Sequence, residues 1–155
     1  MRVLSISLVF CIVACGKESR DKESVSAAAL PRFEDFFVPE RSISRSADLD
    51  TTHDSTAKRF GTVLRSALKD GPNFAGHYSI ATWGCGTQCV SYAVIDAVTG
   101  RLAPDTVLDF SCHEVEFRKN SSLVIERPLK ESAAPCGDTS TKAFTWAGTA
   151  FQPTR

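Results

Sequence analysis

The stretch from Gly71 to Asp96 constrains this chain more than any other. Gly71-Pro72 can only stop a helix, and two strand-like runs then flank Cys85-Gly86-Thr87-Gln88-Cys89. Upstream, Phe60, Val63, Leu64, Ala67 and Leu68 recur at helical spacing, which predicts one amphipathic helix over 55–70. Asp54 or Ser55 is placed to cap its first N–H groups. Gly71 ends it by taking a left-handed conformation, and Pro72 cannot continue it. Gly61 weakens this helix by about 1 kcal/mol relative to Ala, so tertiary packing must hold it. Downstream, Tyr78, Ile80 and Thr82 alternate with His77, Ser79, Ala81 and Trp83, the period of a strand with two different faces. Residues 90–95 are rich in β-formers. With a short loop over 84–88 between them, the two runs read as a hairpin.

The remaining segments extend this pattern. Phe33 to Pro39 reads as an edge strand that Pro39 terminates. Residues 41–54 are polar loop, and Gly100 suits a turn needing positive φ. Thr106 to Phe110 reads as a third strand. Glu114 to Arg118 and Ser122 to Glu126 form a second hairpin, 130–141 is loop, and Ala143 to Phe151 closes as a last hairpin. Short strands joined by tight turns imply an α+β fold: one antiparallel meander of about five to eight strands, with one main helix covering a face.

The N-terminus carries an address. Met1-Arg2 is a short positive start, and Val3 to Ala14 is apolar over a length suited to a secretory h-region and too short to span a bilayer. The run ends Ile12-Val13-Ala14-Cys15. An apolar residue three before the Cys and a small one just before it resemble the lipobox of bacterial lipoproteins. That resemblance implies removal of residues 1–14, a diacylglyceryl group on Cys15 and acylation of its new N-terminus. Several fatty chains on one residue give firm anchoring where a single chain would not. Residues 15–32 are charged or small, with little to bury, and read as lipid anchor and tether; 33–155 reads as one domain.

Charge narrows the partners. The chain has 18 basic and 18 acidic residues, so no basic surplus draws nucleic acid. The expected contact is the membrane, through the N-terminal lipid, with a protein or envelope component as a further partner. The place is the bacterial cell envelope, at the inner or outer membrane, with the domain in the periplasm or at the cell surface.

Cysteines follow from export. Of six, Cys11 leaves with the leader and Cys15 carries lipid. Cys85, Cys89, Cys112 and Cys136 remain, an even number that reads as a disulfide framework in an oxidising compartment. Three pairings exist; Cys85–Cys89 with Cys112–Cys136 is favoured because each closes a local loop. Cys85 and Cys89 are spaced C-x-x-x-C, not the C-x-x-C of thioredoxin-like enzymes, and they do not open a helix. The same cysteines with His113 match no familiar zinc spacing, so neither metal nor cofactor is expected. Gly71, Gly76, Gly84 and Gly86 do not make a phosphate loop; Gly76 and Gly84 suit close backbone approach at strand ends. Trp83, Tyr92, Phe117 and Trp146 read as core aromatics.

His77 is the one residue with catalytic appeal, as a general base or a ligand contact, but no nucleophile or acid–base partner is tied to it by spacing. It lies in Asn73-Phe74-Ala75-Gly76-His77-Tyr78, which is followed by Trp83-Gly84-Cys85-Gly86 and Cys89. This core resembles that of a family of uncharacterised bacterial envelope proteins, a resemblance that implies location and no activity. The function expected is therefore a lipid-anchored, non-enzymatic binding or inhibitory module, with His77, Tyr78, Trp83 and Gln88 as candidate binding residues and no assigned catalytic residue. The alternative is an envelope hydrolase or other enzyme using His77. Replacing Cys15 by Ser is expected to abolish metabolic labelling with palmitate and to release the chain from the membrane fraction; unchanged labelling would refute the lipid assignment.

Overall fold

The computed structural model describes residues 30–130, 138 and 140–154. The leader over 1–14, Cys15, nearly all of the tether and Cys136 lie outside the described residues. Elements follow in chain order. A 3-10 turn (Phe33–Phe36) precedes two helices, α1 (Ser55–Arg59) and α2 (Gly61–Asp70). Seven strands come next: β1 (Tyr78–Gly86), β2 (Cys89–Asp96), β3 (Leu108–Ser111), β4 (His113–Phe117), β5 (Leu123–Pro128), β6 (Lys142–Trp146) and β7 (Phe151–Pro153). All strand pairs are antiparallel, and the class is α+β with one main helix.

Three local expectations change. Phe33 to Pro39 is a 3-10 turn followed by a single bridge, Phe37 to Ser121, rather than an edge strand. Its carbonyls are taken by the Ser121 hydroxyl, which donates to Phe33 O at 2.9 Å. The 55–70 helix is interrupted at Phe60, where φ is −104° and ψ 19°. Gly61 follows it and lowers the resistance to a break, and the Phe60 ring stacks on Trp83 at 4.6 Å between centroids. The loop over 84–88 is shorter than expected, because β1 pairs with β2 as far as Gly86 opposite Cys89. The caps follow the sequence: Asp54 Oδ1 accepts from Ala57 N at 2.9 Å, and Gly71 closes α2 at φ 88°.

The seven strands form two sheets, of order β1-β2-β3 and β4-β5-β6-β7, not the single meander expected. Cys112 is the reason. It alone separates β3 from β4, and it sits at φ 63°, so the chain turns a corner and β4 starts a second layer. The corner is held on both sides. Cys112 N–H donates to Gln88 O at 2.9 Å, and Leu129 N–H donates to Cys112 O at 2.9 Å.

Strand alternation then builds a layered sandwich. On one face of the first sheet, Ala81 pairs with Ala93, and these small side chains let Leu64 and Leu68 of α2 pack close, with Ile95 beside them. On the other face, Ile80 and Val94 meet Val124 and Trp146 of the second sheet. The outer face of the second sheet buries Leu123 and Ile125 under Phe33 of the 3-10 turn. One end of the interior is filled by aromatics. Phe74 has no exposed surface and lies 6.1 Å from Phe117, 6.3 Å from Trp146 and 6.2 Å from Phe151.

Phe74 is delivered by a tight turn. Phe74 and Tyr78 exchange backbone hydrogen bonds at 3.0 and 2.9 Å, with Ala75 at φ 41° and Gly76 at φ 83° between them. Gly76 N–H donates to Lys119 O, and a Cβ there would lie 2.7 Å from Pro39 O. Gly84, expected to serve the same purpose, has nothing within 4 Å of its would-be Cβ. Gly76→Ala should therefore lose about 1–3 kcal/mol in urea unfolding, from left-handed strain and the backbone clash, while Gly84→Ala should change stability by less than about 0.5 kcal/mol. Equal effects would contradict this difference.

Candidate functional site

The four candidate binding residues do not share one surface. Strand register places His77, just before β1, next to Asp96 at the end of β2; Nε2 lies 3.7 Å from Oδ1, and both side chains are about a quarter exposed, 25% and 26%. Asp96 Oδ1 also accepts from Val98 N at 2.8 Å, so it is already engaged in closing the 96–100 turn. The His77 ring packs on Tyr78 at 4.2 Å. Tyr78 points inward: its hydroxyl donates to Gly148 O at 3.2 Å and its ring meets Trp146 edge-on. Trp83 lies under Phe60 on the helix-covered face. Gln88 is at the hairpin tip with φ 57°, its side-chain Oε1 3.9 Å from Cys112 Sγ.

The disulfide Cys85–Cys89 is formed, with Cα atoms 5.1 Å apart. It ties the tip of the first hairpin where β1 carries a register shift between Gly84 and Gly86. Cys112 is also disulfide-bonded. Its expected partner, Cys136, lies outside the described residues.

The concavity best suited to a ligand lies elsewhere, beside the Phe74 cluster, with which it shares Ile80, Val94, Val124 and Phe151. It is a cleft of about 510 Å³ between the two sheets. Ile80, Tyr92, Val94, Leu108 and Phe110 form the wall from the first sheet. Val115, Val124, Phe144 and Phe151 face them from the second, with Ala150 and Pro153 at the margin. Except for Ala150, which precedes β7, these positions follow from strand alternation, since each is the inward member of its strand. The volume and the apolar lining are those of a small-molecule site.

Few polar groups enter this space, and those that do are occupied. Thr106 is buried; its hydroxyl donates to Ala103 O at 2.7 Å and accepts from Val94 N at 3.4 Å. Burial raises the Tyr92 phenol above its usual range, opposed by a hydrogen bond from the Val115 backbone, so it is neutral at pH 7. The charged member of the lining is Asp105, exposed at the rim with φ 52°. Two other concavities differ in kind. One of about 550 Å³, between the 43–49 loop and α2, is lined by the exposed Arg45, Arg65 and Lys69. A smaller one of about 250 Å³ lies among Glu40, Arg41 and Lys119. None of the three has His77 in its wall.

Sequence reasoning missed one pair. His113 and Glu126 are both buried, and Nδ1 lies 3.6 Å from Oε1. Nδ1 donates to Ser111 O at 2.9 Å, and Nε2 has no hydrogen-bond partner. The signal is in the register: Val115 opposes Glu126, which puts His113 and Glu126 diagonally on one face. Among the described residues no three His, Cys, Asp or Glu side chains are grouped to hold a metal ion, and no helix is long and apolar enough to cross a membrane. No protein-family model matches the chain, and no curated protein or solved structure is significantly similar to it.

Proposed function

We propose that this chain is a lipid-anchored cell-envelope protein whose folded part is a non-enzymatic binding module, acting by capture or by inhibition, with the cleft between the sheets as its receptor site. The observation that carries this reading is the cleft itself: about 510 Å³ of concave, nearly all-apolar space between sheets that elsewhere pack tightly. Protein interiors are normally filled to crystal-like density. A gap of this size, opening at the surface, suits a guest. The lipobox-like Ile12-Val13-Ala14-Cys15 and the resemblance to envelope proteins support the location.

The enzymatic alternative draws on His77 and Asp96. Their 3.7 Å contact is longer than a hydrogen bond, and the pair lies outside the walls of the cleft. A base needs a proton to take from a bound substrate within hydrogen-bond reach, and the cleft offers His77 none. Binding is therefore the better supported of the two.

The test is a titration of the full chain carrying Cys15→Ser with N-phenyl-1-naphthylamine, an uncharged dye that fluoresces in apolar surroundings. Saturable binding is expected. It should be lost in Ala150→Trp, which plugs the margin of the cleft from an exposed position, and kept in Val98→Trp, on the 96–100 turn. Binding that is absent, or indifferent to Ala150→Trp, would overturn the receptor assignment.

A further inference from the structure

The shape and chemistry of the cleft narrow its ligand, and this step rests on the receptor reading above. We infer that the cleft takes the hydrocarbon tail of a single-chain amphiphile whose head group carries no net negative charge.

Three features carry the inference. First, width. Facing sheets lie about 10 Å apart, a gap that one layer of side chains normally fills. At the Phe74 end that layer is present, as Phe74, Trp146 and Phe151. Beside it, Leu108, Phe110 and Phe144 wall the cleft together with Val94 and Val124, which also pack against the Phe74 cluster. An occupant of such a space between two sheets must be thin, flexible and apolar, as an acyl chain is and a folded peptide segment is not. Second, capacity. At about 30 Å³ for a water-sized group, 510 Å³ holds roughly 15 such groups, close to one acyl tail. Third, polarity. The Thr106 hydroxyl is already bonded to Ala103 O and Val94 N, and the Tyr92 phenol accepts from the Val115 backbone, so little inside is left to orient a polar ligand. A head group must stay at the rim, where Asp105 repels an anion and tolerates a neutral or cationic one. Anchoring through Cys15 would hold the domain near a membrane, where such molecules are abundant.

The experiment uses the full chain with Cys15→Ser and measures displacement of N-phenyl-1-naphthylamine below micelle-forming concentrations. Affinity should rise about threefold to fourfold per methylene, hence about 100-fold from octyl to dodecyl maltoside, as expected for transfer of each methylene out of water. Dodecyltrimethylammonium should compete about threefold better than dodecanoate, and Asp105→Asn should remove that preference. Ala150→Trp should abolish displacement, with circular dichroism confirming its fold; should it unfold, Leu108→Trp serves as the second plug. Dye that stays bound against dodecyl maltoside, or octyl and dodecyl chains that compete equally, would overturn the acyl-chain assignment and leave the receptor reading standing. A chain that binds no dye would overturn both. Dye binding by the Cys15→Ser chain but not by the lipidated one would show that the protein's own anchor fills the cleft, and would overturn an external ligand.

Discussion

The structure depends on the reciprocal hydrogen bonds between Phe74 and Tyr78, which close a turn around Ala75 and Gly76. That turn does four things at once. It sends Phe74 between the sheets, where the ring fills one end of the core. It starts β1, whose third residue is then fixed by Asn73: the side-chain Oδ1 accepts from Ile80 N at 2.7 Å and Nδ2 donates to Ile80 O at 3.1 Å. It brings Gly76 against Pro39 and Lys119, joining the N-terminal segment to the second sheet. Lastly it turns Tyr78 inward to Gly148. Each hydrogen bond contributes about 1 kcal/mol net, whereas the buried Phe74 ring is worth about 3–5 kcal/mol against Ala. Packing dominates, and the hydrogen bonds decide where the packing group goes.

Filling one end fixes the spacing of the sheets, and so shapes the other. Phe74 and Trp146 hold the sheets apart at the β1 side, and Cys112 joins them at the β3 side. Between these two supports lies the apolar cleft of about 510 Å³. An unfilled interior forfeits dispersion contacts and lowers stability. Of the polar groups nearby, Thr106 is satisfied and Ser91 donates to Asp109 at 2.6 Å on the opposite face, whereas the buried Trp146 Nε1 has no hydrogen-bond partner. The less economical burial is that of His113 beside Glu126, since His113 Nε2 is buried with no hydrogen-bond partner.

Much of this architecture was legible in the residues. The β-formers over 90–95 placed β2 to within a residue at each end, the Gly71-Pro72 stop ended α2, and the short spacing of Cys85 and Cys89 named their bridge. What was not legible lies in tertiary relations. Cysteine is not a residue that announces a left-handed conformation, so the corner at Cys112, and with it the division into two sheets, left no local mark. The cleft is made by inward residues of all seven strands, each of which reads alone as ordinary core. The His77–Asp96 and His113–Glu126 contacts need a register that spacing does not supply. The Asn73–Tyr78 motif was visible as a dense segment, but its strongest appeal, the histidine, was not its main contribution. Phe74 and Gly76 carry the structural weight.

This turn is the joint of the fold and should open only when the whole domain opens. Native-state hydrogen exchange tests it directly. The amides of Gly76 and Tyr78, bonded to Lys119 O and Phe74 O, should exchange with the same free energy as those of Val94 and Val124 in the sheets, while Thr87 at the hairpin tip exchanges freely. Exchange of Gly76 and Tyr78 through a local opening, at a free energy well below that of Val94, would contradict the account.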